Sequence, residues 1–265
     1  MGVVYGISPE WIDNNLAKWY GISSGIVTDG LIVALDASVS RSYPGSGTTW
    51  TDLSGKGNNG TLVNGPTFNS GNSGSIEFDG TNDSISLGTQ INSDITETDI
   101  TVSFWTYLDT TSGDKSFAAM SSVALNVPLI IWYDASVSSR DNTGTGDVGG
   151  GTSNAIVVMV SDTNSSKRFS TSNNALSAST WHNVSVVLDV TNNAFYTYID
   201  GVEEAKYVST NTSLGIKSTS NSFIIGGAAL AYLDGRIANY QVYTKALTAS
   251  EVLQNFNALR GRFGI

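Results

Sequence analysis

Between residues 181 and 201 apolar and polar positions alternate twice, with turn residues between the two runs. Val184, Val186 and Leu188 fall on one face of a first strand and Phe195, Thr197 and Ile199 on one face of a second, because successive side chains of a strand point to opposite sides. Thr191-Asn192-Asn193 supplies the turn, and Asp200-Gly201 closes the second strand. Each strand can therefore bury one side against a second sheet. From Gly30 onward the same grammar repeats: short strand-like runs at 31–35, 75–78, 100–108, 129–133, 155–160, 223–225 and 236–243 are separated by Gly, Asn, Asp and Ser clusters. Such punctuation predicts an all-β, two-sheet antiparallel sandwich or jelly roll.

Period changes at the two ends. Ser8 can cap a helix, Pro9 fits its first position and Glu10 complements its positive end, while Ile12, Leu16, Trp19 and Tyr20 recur at helical spacing with Trp11 beside them. A helix over residues 9–20, stopped at Gly21, is expected. Thr248 and Glu251 form a capping box ahead of Val252, Leu253, Phe256 and Leu259, which predicts a second short helix. Residues 1–29 are thus an N-terminal helical anchor segment, 30–259 the sandwich and 260–265 a tail. The stretch 141–151, rich in Gly, Thr and Asn, is expected as a mobile loop at a sheet edge.

Composition narrows the partners. The 265 residues contain enough apolar material, 40%, for a sizeable core in one domain. A formal net charge of −10 opposes binding to phosphate backbones, so no nucleic-acid partner is expected. No apolar run approaches the ~18 residues that a membrane span needs, so no membrane partner is expected either. The first six residues have no basic start, and no secretory leader is expected. The absence of cysteine excludes disulfides and thiolate metal sites.

Several blocks resemble the laminin-G-like branch of the concanavalin A-like lectin and glucanase superfamily. They are Gly30-Leu31-Ile32-Val33-Ala34-Leu35-Asp36-Ala37, the loop from Trp50 through Asp52-Leu53-Ser54-Gly55 to Leu62, the Phe78-Asp79-Gly80 turn, the Phe104-Trp105 strand, the Trp181-His182 and Tyr198-Ile199-Asp200-Gly201 pair, and Gly235 through Thr248. The likeness covers roughly residues 30–259 and implies a concanavalin A-like jelly roll; that fold hosts lectins, hydrolases, lyases and structural modules alike. The run 61–68 and the ending 254–258 with Gly261-Arg262-Phe263 resemble a variant found in virion proteins of tailed bacteriophages, often marine ones. This second resemblance implies a non-enzymatic structural protein located in the virion, a capsid decoration or a fibre or tail component. Its partners would be other virion proteins and copies of itself, with a cell-surface glycan as a further candidate. A carbohydrate-binding adhesin and a glycan-degrading enzyme are the alternatives.

Chemistry is sparse. Glycan-cleaving relatives use paired carboxylates, about 5 Å apart in retaining enzymes. Glu203 and Glu204 are neighbours that would face opposite ways on a strand, and Glu77 and Asp79 share a face but Asp79 belongs to a turn, so no catalytic pair is assigned. His182, the sole histidine, is read as a packing or edge residue with no chemistry. Sugar binding needs an exposed ring flanked by polar groups, and Trp132, Tyr133, Tyr43, Trp50 and Tyr232 are the candidates. Many relatives bind calcium, for which Asp36 and Asp52 are the candidates; Ala238 and Asn239 stand where the family has acidic residues in the closing strand. The simpler reading is that Asp52 and Asn58 hold a turn. No other cofactor is expected. Trp11, Ile12, Leu16 and Trp19 at one end, and Arg262, Phe263 and Ile265 at the other, carry groups suited to an interface, and docking of both ends onto a neighbouring subunit is expected over fold-back.

Overall fold

The computed structural model describes residues 25–96, 98–120, 128–135, 154–161, 166–170, 175–208, 215–228 and 231–265. The expected helix at 9–20, with Trp11, Ile12, Leu16 and Trp19, and the expected loop at 141–151 lie outside these residues.

Two eight-stranded sheets face each other. The first runs from Val202–Val208 (β14) through Ala194–Ile199 (β13), Trp181–Asp189 (β12), Ile100–Leu108 (β7), Asp234–Tyr243 (β18) and Ser75–Asp79 (β5) to Thr67–Asn69 (β4), and Leu31–Asp36 (β1) also pairs with β18. The second runs from Ser166–Ser170 (β11) through Ala155–Ser161 (β10), Leu129–Asp134 (β9), Lys115–Ala119 (β8), Ile224–Ile225 (β15), Ser84–Ser86 (β6) and Gly60–Val63 (β3) to Thr49–Trp50 (β2). Gly227–Ala228 (β16) and Ala231–Tyr232 (β17) form a separate hairpin. The ladders are antiparallel throughout.

The predicted alternation sets the main core. Val184, Val186 and Leu188 of β12 and Phe195 and Ile199 of β13 meet Phe117, Ile131, Tyr133, Ile156 and Ile225 of the second sheet. The alternate positions of the first sheet are apolar too, and they need a second cover. Trp105, Trp181, Val187, Tyr198, Ala238 and Tyr243 are buried beneath Val252, Phe256 and Leu259 of the helix Ala249–Leu259 and beneath Phe263 of the turn Arg260–Phe263. The first sheet is therefore a middle layer, with a helix on its outer side.

That helix starts where its sequence says it should. Thr248 accepts the Glu251 N–H through its side chain, and the Glu251 carboxylate accepts the Thr248 N–H at 2.9 Å. Asn255 locks the helix to the sheet: its Nδ2 donates to the Tyr243 hydroxyl at 3.0 Å, and its Oδ1 accepts the Val27 N–H at 2.8 Å.

Candidate functional site

Four of the five aromatic candidates have no face open to a ligand. Trp50 and Tyr133 are buried in the main core, as is Tyr43, which packs against Phe68 and donates its hydroxyl to the Gly47 carbonyl at 2.8 Å. The Tyr133 hydroxyl donates to Asn154 Oδ1 at 2.7 Å. Trp132 points the other way from Tyr133, into a buried cluster with Ala119, Ile130, Ala155 and Val157 on the far side of the second sheet. The expectation that these rings form a binding platform is corrected by their burial: both faces of β9 are apolar, so neighbouring positions are covered alike.

Tyr232 is different, being 39% exposed. It pairs with Gly227 across the β16–β17 hairpin, and a Cβ at position 227 would lie 2.6 Å from Tyr232 Cδ1 and 2.9 Å from the Asp83 carbonyl oxygen. Only glycine lets the ring come this close to the backbone, which supports one side of the ring. A polar loop adjoins its hairpin, with the Gly80 N–H donating to the carbonyl of Leu233, the residue after Tyr232, at 2.9 Å. Asp79 Oδ1 accepts the Thr81 N–H at 2.8 Å, Asp83 Oδ2 accepts the Asp79 N–H at 3.1 Å, and Asn64 Nδ2 donates to the Asn82 carbonyl at 2.9 Å. Asn64, Asp79, Thr81 and Asn82 are exposed, whereas Asp83 is buried. The Thr81 N–H holds the Asp79 carboxyl below its ordinary range, while burial pushes that of Asp83 up. The result is an exposed ring, supported by Gly227, on a hairpin that adjoins a polar loop.

At the same end of the sheet lies a group that the sequence did not single out. Arg236 reaches both Glu77, with Nε to Oε2 at 3.7 Å, and Asp109, with Nη2 to Oδ1 at 3.6 Å, while its guanidinium lies 4.6 Å from the centre of the Tyr107 ring. Burial pushes the Asp109 carboxyl up, Arg236 draws it down, and Asp234 and Glu77 raise it further. The only linear signal was Asp109 directly following β7; its convergence with Glu77 depends on β5 and β7 both pairing with β18.

The calcium candidates are engaged by protein donors. Asp52 accepts from the Ala34 and Ser54 N–H groups through Oδ1, and from the Ser54 hydroxyl and Asn58 N–H through Oδ2, all within 3.0 Å. Asp36 Oδ1 accepts from the Ser38 N–H and hydroxyl and from Arg262 Nη1 at 2.8 Å. An ion there would have to displace both backbone donors and a cation. Among the described residues no three His, Cys, Asp or Glu side chains converge on a common point.

The C-terminal expectation is also corrected. Arg262 and Phe263 fold back onto their own sandwich. Arg262 donates to the carbonyls of Asn72 and Gly74 as well as to Asp36, and Phe263 stacks on Trp105 with ring centres 4.1 Å apart and packs at a tilt against Trp181 at 4.8 Å. Two indoles of the first sheet and the Asp36 carboxylate give this tail partners within the chain, and Phe263 is buried against them. Ile265 alone of the three is exposed. No helix among the described residues is long and apolar enough to cross a membrane.

Known structures share this architecture. The chain is similar to botulinum neurotoxin type C, which enters cells through interaction with two ganglioside molecules, at 14% identity and a TM-score of 0.61, over 88% of this chain and 52% of that one. It is similar to the binding domain of botulinum neurotoxin DC in complex with SialylT, at 15% identity and a TM-score of 0.59, over 88% and 52%. It also matches domain 4 of AbnA, an extracellular arabinanase from Geobacillus stearothermophilus, in complex with arabinotriose, at 16% identity and a TM-score of 0.59, over 86% of this chain and 98% of that domain. The chain thus spans about half the length of the toxin chains and nearly all of the arabinanase domain. No curated protein matches the sequence. The family model for the concanavalin A-like lectin/glucanases superfamily matches residues 79–253, and the chain belongs to that family.

Proposed function

We propose that this chain is a carbohydrate-binding module that recognises a glycan at the Tyr232 edge of the sandwich. The carrying observation is the exposed Tyr232 ring, supported on one side by Gly227, on a hairpin tied to the polar loop at 79–82 through the Gly80 N–H and the Leu233 carbonyl. A pyranose or furanose packs its C–H face on such a ring while its hydroxyls find amide and carbonyl partners. Similar domains in complex with arabinotriose and with SialylT support the reading.

Glycosidic cleavage is not part of the proposal. Retaining enzymes need two carboxyl groups about 5 Å apart with the sugar between them; the convergent pair, Glu77 and Asp109, has the Arg236 guanidinium reaching to both. A virion setting is a further proposal, made on the resemblance of the blocks at 61–68 and 254–258 alone, and there the sandwich would present Tyr232 to a host surface. Anchoring would then fall to residues 1–24, since the tail is committed to its own sheet. Truncation of that segment should abolish incorporation into particles, measured by mass spectrometry of purified virions.

The decisive experiment is a glycan array followed by calorimetry on wild type and Tyr232→Ala. The variant should lose at least about tenfold in affinity, or 1.4 kcal/mol, for whichever arabino-oligosaccharide or sialylated glycan binds. Equal affinity in the variant, or no binder for the wild type, refutes the proposal.

A further inference from the structure

A second constellation lies at another part of the surface and does not depend on the glycan reading. His182, near the start of β12, holds Ser177 on one ring nitrogen and Asp200 on the other. Nδ1 lies 2.8 Å from Asp200 Oδ2, and Nε2 lies 2.9 Å from Ser177 Oγ. We infer that Ser177 is a histidine-activated nucleophile, able to accept an acyl group from a small ester.

The backbone fixes this array from both sides. Asp200 and Gly201 form the two-residue turn between β13 and β14, with φ of 51° and 78°. A turn of this kind keeps the strands in register. Asp200 is tied to Asn183 twice: its N–H donates to the Asn183 carbonyl at 2.9 Å, and its Oδ1 accepts the Asn183 N–H at 2.8 Å. That leaves Oδ2 aimed at the imidazole. On the other side the chain before β12 is pinned by the Ser179 N–H donating to the Leu108 carbonyl at 2.8 Å.

The tautomer follows from one contact. The Ser177 backbone N–H points at His182 Nε2 at 3.3 Å, and an N–H can only donate, so Nε2 carries the lone pair. The imidazole proton therefore sits on Nδ1, facing Asp200, and the Ser177 hydroxyl donates to Nε2. This is the protonation state that a serine nucleophile needs before it attacks. Ser177 is exposed, whereas the His182 and Asp200 side chains are only 16% and 30% accessible, so the nucleophile meets solvent and its supports are shielded.

The reaction balances with the groups present. Ser177 Oγ bonds to the ester carbonyl carbon as its proton passes to Nε2; the carbon–oxygen bond to the leaving alcohol then breaks, and that alcohol takes the proton from Nε2. Water attacks the acyl-serine in the same way and releases the acid, with Asp200 remaining a carboxylate and positioning the ring. As Nε2 takes the proton it stops accepting from the Ser177 N–H, and the array itself contributes general-base assistance. Activated esters are the expected substrates, and peptide amides are not.

A fluorophosphonate probe tests this, because attack by Oγ on phosphorus expels fluoride and leaves a stable adduct. Peptide mapping of the full chain should place the adduct on Ser177, and Ser177→Ala should carry none at that position. His182→Gln should react at least about 100-fold more slowly, the scale of general-base assistance. Asp200→Asn should lower the maximal inactivation rate and leave the half-saturating probe concentration unchanged, a split that general loosening of the fold would not produce. An unmodified Ser177, or a His182→Gln rate equal to wild type, overturns the inference. Should His182→Gln fail to fold, Ser177→Cys decides in its place, since the chain has no other cysteine. At neutral pH its alkylation by iodoacetamide should be at least about tenfold faster than that of Ser93→Cys at an exposed site, and equal rates overturn the inference.

Discussion

Replacing Phe263 by alanine separates a tail that belongs to the core from one that waits for a partner. The Phe263 ring is 8% exposed and lies between two indoles, at 4.1 Å from Trp105 and 4.8 Å from Trp181. Truncation of a core phenylalanine costs about 3–5 kcal/mol, made up of lost transfer energy and a residual cavity. One wall of this site is the exposed backbone at Gly264 and Ile265, where water can enter the space left behind, which places the expected loss just below that range, at about 2–3 kcal/mol. Urea unfolding followed by tryptophan fluorescence reads the change as a lower midpoint with an unaltered slope, and Trp105 and Trp181 should report locally. Ile265→Ala serves as the control, since Ile265 is exposed, and its effect should stay within about 0.5 kcal/mol. A Phe263→Ala midpoint equal to wild type would refute the packing argument and return the tail to the role of a free anchor.

Two further outcomes follow from the loops and the helix cap. Asp52→Ala strips four donors of their acceptor and should cost about 2–4 kcal/mol in the same assay, while millimolar calcium should leave the wild-type midpoint unmoved; a calcium-dependent rise would show that the Asp52 oxygens are not committed to the turn. Burial raises the Glu251 carboxyl, but hydrogen bonds from Lys245 and Thr248 outweigh it and hold it below the ordinary value. The unfolded chain then takes up this proton first as pH falls, so the Glu251 contribution is intact above about pH 4.3 and is lost as pH drops through the lowered folded value. Glu251→Gln should flatten that part of the acid limb and cost about 0.5–1 kcal/mol at neutral pH, measured by urea midpoints across the range.

The sandwich was legible because a period of two survives in long strands. β7, β9, β12, β13 and β18 all coincide with alternating or continuous apolar runs, and the Thr248–Glu251 box announced its helix. Short elements were not legible: β2, β6, β16 and β17 have two or three residues, too few for a period, and β8, with Lys115 at its start, has a buried stem where a charge suggests solvent. Exposure was the larger failure. Phe104 and Trp105 are adjacent in β7 and point to opposite faces, yet both are buried, because the helix closes the side that a two-layer sandwich would leave wet. Pairings such as Asp36 with Arg262 and Asn72 with Trp181 join residues more than a hundred positions apart, and no local pattern marks them. The contacts of His182 with Ser177 and Asp200 escaped for a different reason: Asp200 reaches His182 only after a hairpin folds it back.

This layering also limits where the proposed glycan could sit. A ligand on the outer face of the first sheet would have to lift the helix and tail, exposing Trp105, Phe256 and Phe263 together. Rings of this kind bury about 150–250 Å² each, so at about 25 cal/mol per Å² the displacement costs roughly 11–19 kcal/mol. Binding at millimolar to micromolar affinity supplies only about 4–8 kcal/mol. The far face of the second sheet is closed where Ile130, Trp132 and Val157 are buried together. Among the described residues, the exposed Tyr232 ring on the β16–β17 hairpin is the candidate that the proposed glycan could reach without lifting the helix. A complex that placed the sugar beneath the helix would therefore contradict the energetics of the core as well as the assignment of Tyr232.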